Sequence, residues 1–377
     1  MGLTGSSHHS VFGSPPSPET LELTLFGPGY GESVLAHFGS GHWLLVDSCI
    51  DSRTSEPAAL SYLSDIGLDP ADAVDIILAS HWHDDHVRGL SKVLARCPKA
   101  NFWLSSALTK AEFAAMVTRF DSRNRIAAGS GVSELRQIYS LLQGRTAKRA
   151  IADRRLHARS GNELSHGLDV ELWALSPSDK QVEKFLFELA SYMPDAGETK
   201  YRASVHNRND LCVVLWISIG GNHILLGSDL EHAAETDIGW KAVLSSTARP
   251  QQRAKVFKVP HHGSITGHCL GVWDVMLSGD SVALITPFTK GRNSLPTRDD
   301  VQRILDQTEN AYITAAAKSR VKRQRSAAVE KTLKDFNKKL RPALPNTGAV
   351  RLRKKVTDSN SEWKVETFLG ALHLSSL

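Results

Sequence analysis

Cysteine is scarce in this chain: four in 377 residues (Cys49, Cys97, Cys212, Cys269), with no two close together. That spacing excludes a disulfide framework and a cysteine zinc site, and it fits a reducing cytoplasm. Long apolar runs are missing too. The longest, 211–227, is broken by Gly220-Gly221-Asn222-His223 and reads as two strands joined by a tight turn, not as a membrane span. The first 20 residues are rich in Gly, Ser and Pro and have neither a basic n-region nor an apolar h-region. They read as a flexible lead-in and not as a signal peptide. No repeat at a solenoid period is present. What is there is an ordinary globular composition, 41% hydrophobic and 23% charged, on a chain long enough to bury a large core.

The charge is unevenly spread. Between Lys318 and Lys355 stand fourteen Lys and Arg against two acids, a local balance of +12, so a chain of net charge +5 is left at −7 elsewhere. A weaker basic concentration runs over 119–159. A basic segment on an acidic body points to a polyanionic partner; a solvated helix face with no partner gives the same pattern.

Strand and helix patterns alternate along the chain. Strands are predicted at 21–26, 33–38, 43–46, 74–79, 101–104, 170–175, 211–219, 223–226, 256–259 and 282–286, with helices at 56–66, 87–95, 182–190 and 298–307. Two amphipathic stretches within 106–143 read as a helical insertion. A basic helix over 318–346 leads to a closing hairpin at 348–368. The whole from residue 21 to 377 reads as one α/β domain with embellishments.

The chemistry concentrates after the strand at 74–79, in His81-Trp82-His83-Asp84-Asp85-His86. Three imidazoles and a carboxylate in one tight turn can divide between two cations, His81 and His83 on one, Asp85 and His86 on the other. Two further strand ends carry matching groups. Leu225-Leu226-Gly227-Ser228 runs straight into Asp229, a carboxylate costly to bury unpaired and well placed to bridge two cations; it could also cap a following helix. Phe257-Lys258-Val259-Pro260 leads to the pair His261-His262, of which one imidazole can complete a metal shell while the other serves proton transfer or phosphate contact.

Taken together, His81-x-His83-x-Asp85-His86, the strand-end Asp47, Gly227-Ser228-Asp229 and His261-His262-Gly263-Ser264 resemble the metallo-β-lactamase superfamily in order and spacing. The stretch Lys258-Val259-Pro260-His261-His262-Gly263-Ser264 is similar to its ComEC-type branch, here without a membrane part. The resemblance spans about 21–315. It implies a four-layered αββα sandwich with two divalent ions at one sheet edge, Zn2+ in most relatives and Mn2+ as the alternative. The implied ligands are His81, His83, Asp85, His86, Asp229 and His262, with His206, 23 residues before Asp229, in the place of the first ion's remaining histidine. Three features bear on the match: Val87-Arg88-Gly89 replaces paired glycines, Ser228 stands where Gly is common, and at the remaining histidine's place His206 is followed by Asn207-Arg208-Asn209-Asp210, which resembles the Asn-rich segment that ComEC-type relatives often have there.

The implied activity is hydrolysis by a metal-activated hydroxide, with Asp85 orienting the water and His261 as proton donor or anion contact. Asp47 would support a ligand from behind. The basic segment and Arg88 tilt the substrate toward phosphodiesters, making the expected enzyme a phosphodiesterase or nuclease with nucleic acid as partner. The alternative is a metallohydrolase of a small carboxylic ester, lactone or thioester.

Overall fold

The computed structural model describes residues 10–27, 30–111, 113–114, 117, 131–142, 145–192, 208–289, 294–316, 347–356 and 361–377. Most of the lead-in, part of the 106–143 insertion, the basic 318–346 stretch and His206 lie outside the described residues.

Sixteen strands among these residues form two eight-stranded mixed sheets. The first contains β1 (Thr20–Gly27), β2 (Ser33–His37), β3 (Trp43–Val46), β4 (Val74–Ala79), β5 (Asn101–Ser105), β6 (Lys148–Ala150), β14 (Gly348–Lys355) and β15 (Lys364–Phe368), in the order β15-β14-β1-β2-β3-β4-β5-β6. The second contains β7 (Arg154–Arg159), β8 (Val170–Ala174), β9 (Leu215–Ile219), β10 (Asn222–Leu226), β11 (Ala254–Lys258), β12 (Leu277–Ile285), β13 (Ala311–Ile313) and β16 (Leu372–His373), in the order β16-β13-β12-β11-β10-β9-β8-β7. β14 pairs with β1 over all eight residues, from Thr20 opposite Lys355 to Gly27 opposite Gly348.

Alternation along β1 explains the layering. Leu21, Leu23 and Leu25 enter a core that also takes Leu215 and Ile217 of β9 and Val256 of β11, so it lies between the sheets. Phe26 enters a second core with Tyr62, Leu63, Leu90 and Leu94 of the helices Ala58–Asp65 and Leu90–Arg96. A third core joins Trp216 and Phe257 to Trp240, Trp273 and Ile304 of the helices Gly239–Ser245, Leu270–Met276 and Arg298–Leu305. Three cores between four layers make the αββα sandwich. The central parallel strands are buried on both faces and therefore read as unbroken apolar runs.

Two local differences from the sequence reading have physical causes. Residues 211–214 are not strand: Cys212 O accepts from Ser176 Oγ at 2.7 Å, Val214 N donates back to that Oγ at 2.8 Å, and Val213 N donates to Ser80 O at 3.1 Å. These bonds tie the second sheet to Ser80, the residue just before the His81–His86 turn, and delay β9 to Leu215. Edge strands β6 and β7 escaped the pattern because each is largely exposed and carries Lys or Arg.

The parallel strands β3, β4, β10, β11 and β12 set the site. Each ends at the same edge and is followed by a polar residue: Asp47, Ser80-His81, Asp229, His261-His262 and Thr286. The carboxyl ends of parallel strands are where open α/β sheets place ligands.

Candidate metal centre

The site is built from behind. Asp47 follows β3 in a left-handed conformation (φ 56°) and is buried. Its Oδ1 accepts from Ser80 N at 2.7 Å, and its Oδ2 accepts from Ser80 Oγ at 2.6 Å and from His86 Nδ1 at 2.8 Å. The single hydroxyl proton of Ser80 is thus spent on Asp47. Ser80 Oγ, 3.0 Å from His81 Nδ1, must accept there, which puts the proton of His81 on Nδ1. His262 Nδ1 lies 3.2 Å from both Thr286 O and Thr286 Oγ1, and that hydroxyl donates to Glu32 Oε2 at 2.6 Å. His262 is therefore the donor to Thr286.

All three imidazoles consequently hold their protons at Nδ1 and present Nε2 lone pairs to one point. Asp229 Oδ2 lies 3.3 Å from His86 Nε2, 3.8 Å from His262 Nε2 and 3.9 Å from His81 Nε2. Asp85 Oδ2 lies 3.2 Å from His262 Nε2, and His83 Nδ1 lies 3.2 Å from His81 Nε2. Lone pairs aimed at a carboxylate oxygen repel unless a cation or a proton lies between them. His86 Nε2, one of the converging nitrogens, is buried without a hydrogen-bond partner, the state expected of a metal-ligating atom. The donor set, imidazole nitrogen with carboxylate oxygen, suits a divalent ion such as zinc.

Electrostatics show the carboxylates of the site drawing positive charge toward the imidazoles. Burial, with neighbouring His86 and His83, holds the pKa of His81 well below its ordinary value. At His86 burial acts downward too, but the carboxylates of Asp229 and Glu32 override it and push the group well above its usual range. Burial raises Asp229 and Asp85, yet the adjacent imidazoles win and keep both carboxyls ionised. The structure thus brings together Glu32, His86, Asp229 and His262 in one set and His81, His83 and Asp229 in another, sharing Asp229.

His261 stands outside the convergence. Its Nδ1 lies 2.9 Å from Glu231 Oε1 and 2.8 Å from Thr266 Oγ1, and Asn209 Nδ2 donates to the same Glu231 oxygen at 3.0 Å. Burial lowers its pKa, but Glu231 and Asp229 raise it above the ordinary histidine value. Consecutive left-handed residues, His261 (φ 48°) and His262 (φ 54°), turn the two rings to different jobs.

Sequence reasoning missed Glu32, Thr286, Asn209 and Glu231. Only Lys258 left a trace, as the lone charge inside the apolar strand Val256-Phe257-Lys258-Val259. Part of the basic segment has a structural use. Arg351 pairs with Glu366 and donates to Phe12 O, and Arg353 pairs with Glu22.

The Metallo-beta-lactamase superfamily model matches residues 26–138, a span containing Asp47 and the whole His81–His86 turn. The chain is 37% identical over 81 residues to the anti-Pycsar protein Apyc1 of Bacillus phage 010DV004, covering 20% of this chain. That match spans 28% of the curated relative's length. Among solved structures, the metallo-beta-lactamase fold protein YhfI from Bacillus subtilis is 14% identical, with a TM-score of 0.32 over 63% of this chain and 70% of its own. A metallo-beta-lactamase from Cronobacter sakazakii is 14% identical, with a TM-score of 0.34 over 64% and 78%. Zn(2+)-bound PqqB from Methylobacterium extorquens is 12% identical, with a TM-score of 0.30 over 62% and 71%. The superfamily model thus covers the first sheet's Asp47 and the His81–His86 turn, and the His/Asp/Glu clusters around them are able to hold a divalent metal. No helix among the described residues is long and apolar enough to cross a membrane.

Proposed function

We propose that the chain is a dinuclear metal-dependent phosphodiesterase, acting on nucleic acid or a smaller phosphodiester in the cytoplasm. His81, His83 and Asp229 would hold one cation, and Asp85, His86, His262 and again Asp229 the other. His206, which lies outside the described residues, would be a further ligand of the first. The metal would be zinc, with manganese the alternative. When bound, the ions supply Lewis acidity toward the phosphoryl group and a strong nucleophile at neutral pH.

The chain's own residues do the rest. Asp85, ionised and held at His262, orients the attacking water. His261 carries the choice of substrate. Its ring is paired at Nδ1 with the Glu231 carboxylate, and its Nε2 lies 3.4 Å from Asn209 Nδ2. An imidazole so paired favours its cationic form, which meets an anionic phosphoryl oxygen and gives a proton to a departing alkoxide. A phosphodiester offers that charge an anionic oxygen already on binding, whereas a neutral carboxylic ester offers one only once attack has begun. The ComEC-like Lys258–Ser264 stretch and the basic balance of 318–355 support the same substrate class.

The test is digestion of labelled single- and double-stranded DNA and RNA, run beside phosphodiester and carboxylic-ester chromogens with zinc or manganese. Cleavage of phosphodiesters that disappears in Asp85→Ala and His262→Ala is the expected result. Turnover of carboxylic esters or lactones alone would refute the phosphodiester assignment and leave the small-ester alternative.

A further inference from the structure

Lys258 and Glu32 are an ion pair in the deepest part of the site, 1% and 2% exposed. Neither belongs to the ligand set just described, and burying two charges is costly enough that such a pair calls for a reason. Glu32 falls geometrically in a cluster with His86, Asp229 and His262. Its oxygens nonetheless lie on the wrong side to be ligands, 3.7 Å from His86 Nδ1 and 3.9 Å from His262 Nδ1, behind rings whose Nε2 atoms converge in front. Both oxygens are also committed, Oε1 to the Lys258 ammonium and Oε2 to the Thr286 hydroxyl. The backbone joins in, with Glu32 N donating to Asp85 O at 2.9 Å.

Lys258 is placed just as specifically. Its Nζ donates to Ser228 O at 2.8 Å and lies 3.8 Å from Asp229 Oδ1. An ammonium on that side draws Oδ1 toward itself and leaves Oδ2 at the meeting point of the three imidazoles. Ser228 is in a left-handed conformation (φ 46°), so the bond to its carbonyl also pins the turn that presents Asp229.

We infer that the buried Glu32–Lys258 pair is a positioning device for the second cation: Lys258 sets the rotamer of Asp229, and Glu32, through Thr286 and its approach to His86, fixes the two imidazoles opposite. This rests on the metal-binding part of the proposed function. It adds that two residues contacting neither metal nor substrate decide how well the Asp85, His86, Asp229, His262 set closes.

Removing one partner strands the other charge in the interior, so either single variant can fail to fold. The double variant Glu32→Gln with Lys258→Met removes both charges at similar volume. Full-length wild type, the double variant and a core-destabilised control, Leu63→Ala, are freed of metal and titrated with Co2+, followed by visible absorption and by stoichiometry. Wild type takes up two ions. In the double variant one ion binds about 10–100-fold more weakly, the range typical of lost outer support. Its absorption also changes, while the control keeps both affinities despite its lower melting temperature. A folded double variant with wild-type affinities and spectrum overturns the inference and leaves the dinuclear reading intact. A wild type that binds fewer than two ions overturns both.

Discussion

Asp47 accepts the Nδ1 proton of His86 at 2.8 Å and thereby aims the opposite nitrogen of that ring at Asp229. The same carboxylate takes both donors of Ser80, so one residue behind the site fixes His86 directly and His81 through Ser80. Three donors require two acceptor oxygens, and an amide offers one. Asp47→Asn is therefore expected to weaken cation binding about 10–100-fold, with activity recovered at high metal concentration. Metal titration of purified protein checks this. An unchanged affinity would mean that the ring is held by packing alone.

His261 and Glu231 make a separable prediction, because neither belongs to the convergent ligand set. His261→Ala should lower kcat by roughly 10²–10⁴ with metal content unchanged. The loss should depend on the leaving group. A nitrophenolate departs without a proton, whereas an alkoxide or nucleoside oxygen needs one. Nitrophenyl phosphodiesters should therefore suffer little and nucleotide diesters greatly. Glu231→Gln should reproduce part of the effect. Equal losses on both substrates would make His261 a binding group and not a proton donor.

The legible parts of this site were those written contiguously. His81 to His86 follows a strand, and Asp229 and His262 each end a strand of the same kind, so residue type and local pattern were enough to expect their meeting. The supporting groups could not be read that way. Thr286 reaches Glu32 across 254 positions, and Asn209 reaches Glu231 across 22, through contacts that exist only after the sheets have assembled. The buried core strands were likewise evident from apolar runs, whereas β6 and β7, exposed and basic, look like loop until their pairing to β5 and β8 is seen.

Gly131 links the insertion to the metal turn. It precedes the helix Val132–Leu141 with φ 67°, and a Cβ there would stand 2.1 Å from the carbonyl oxygen of Trp82. Trp82 lies between two candidate ligands and is itself buried against Phe113 and Phe185. Gly131→Ala must therefore shift the turn or the helix. The expected outcome is a lower melting temperature together with weaker metal binding, measured side by side. A variant that melts early yet binds metal normally would show that the helix yields and the turn does not.

His37 gives the fold a pH dependence away from the site. Its Nδ1 donates to Thr20 O at 2.7 Å and its Nε2 accepts from Gly41 N at 3.0 Å, so the neutral ring uses both nitrogens. Burial is the main cause that lowers its pKa from 6.5 to about 4, against the opposing bond to Thr20. A second proton would have to displace the Gly41 N–H. With the folded pKa below the unfolded one, the unfolded chain binds more protons between those values. The contribution is complete above pH 6.5 and declines as pH falls toward 4, by on the order of 3 kcal/mol in all. Glutamine can supply one donor and one acceptor without titrating. Urea unfolding in chelator at pH 7 and pH 5 should show a smaller loss of stability for His37→Gln than for wild type. Equal losses would mean that acid sensitivity arises elsewhere, first of all in the ligand histidines themselves.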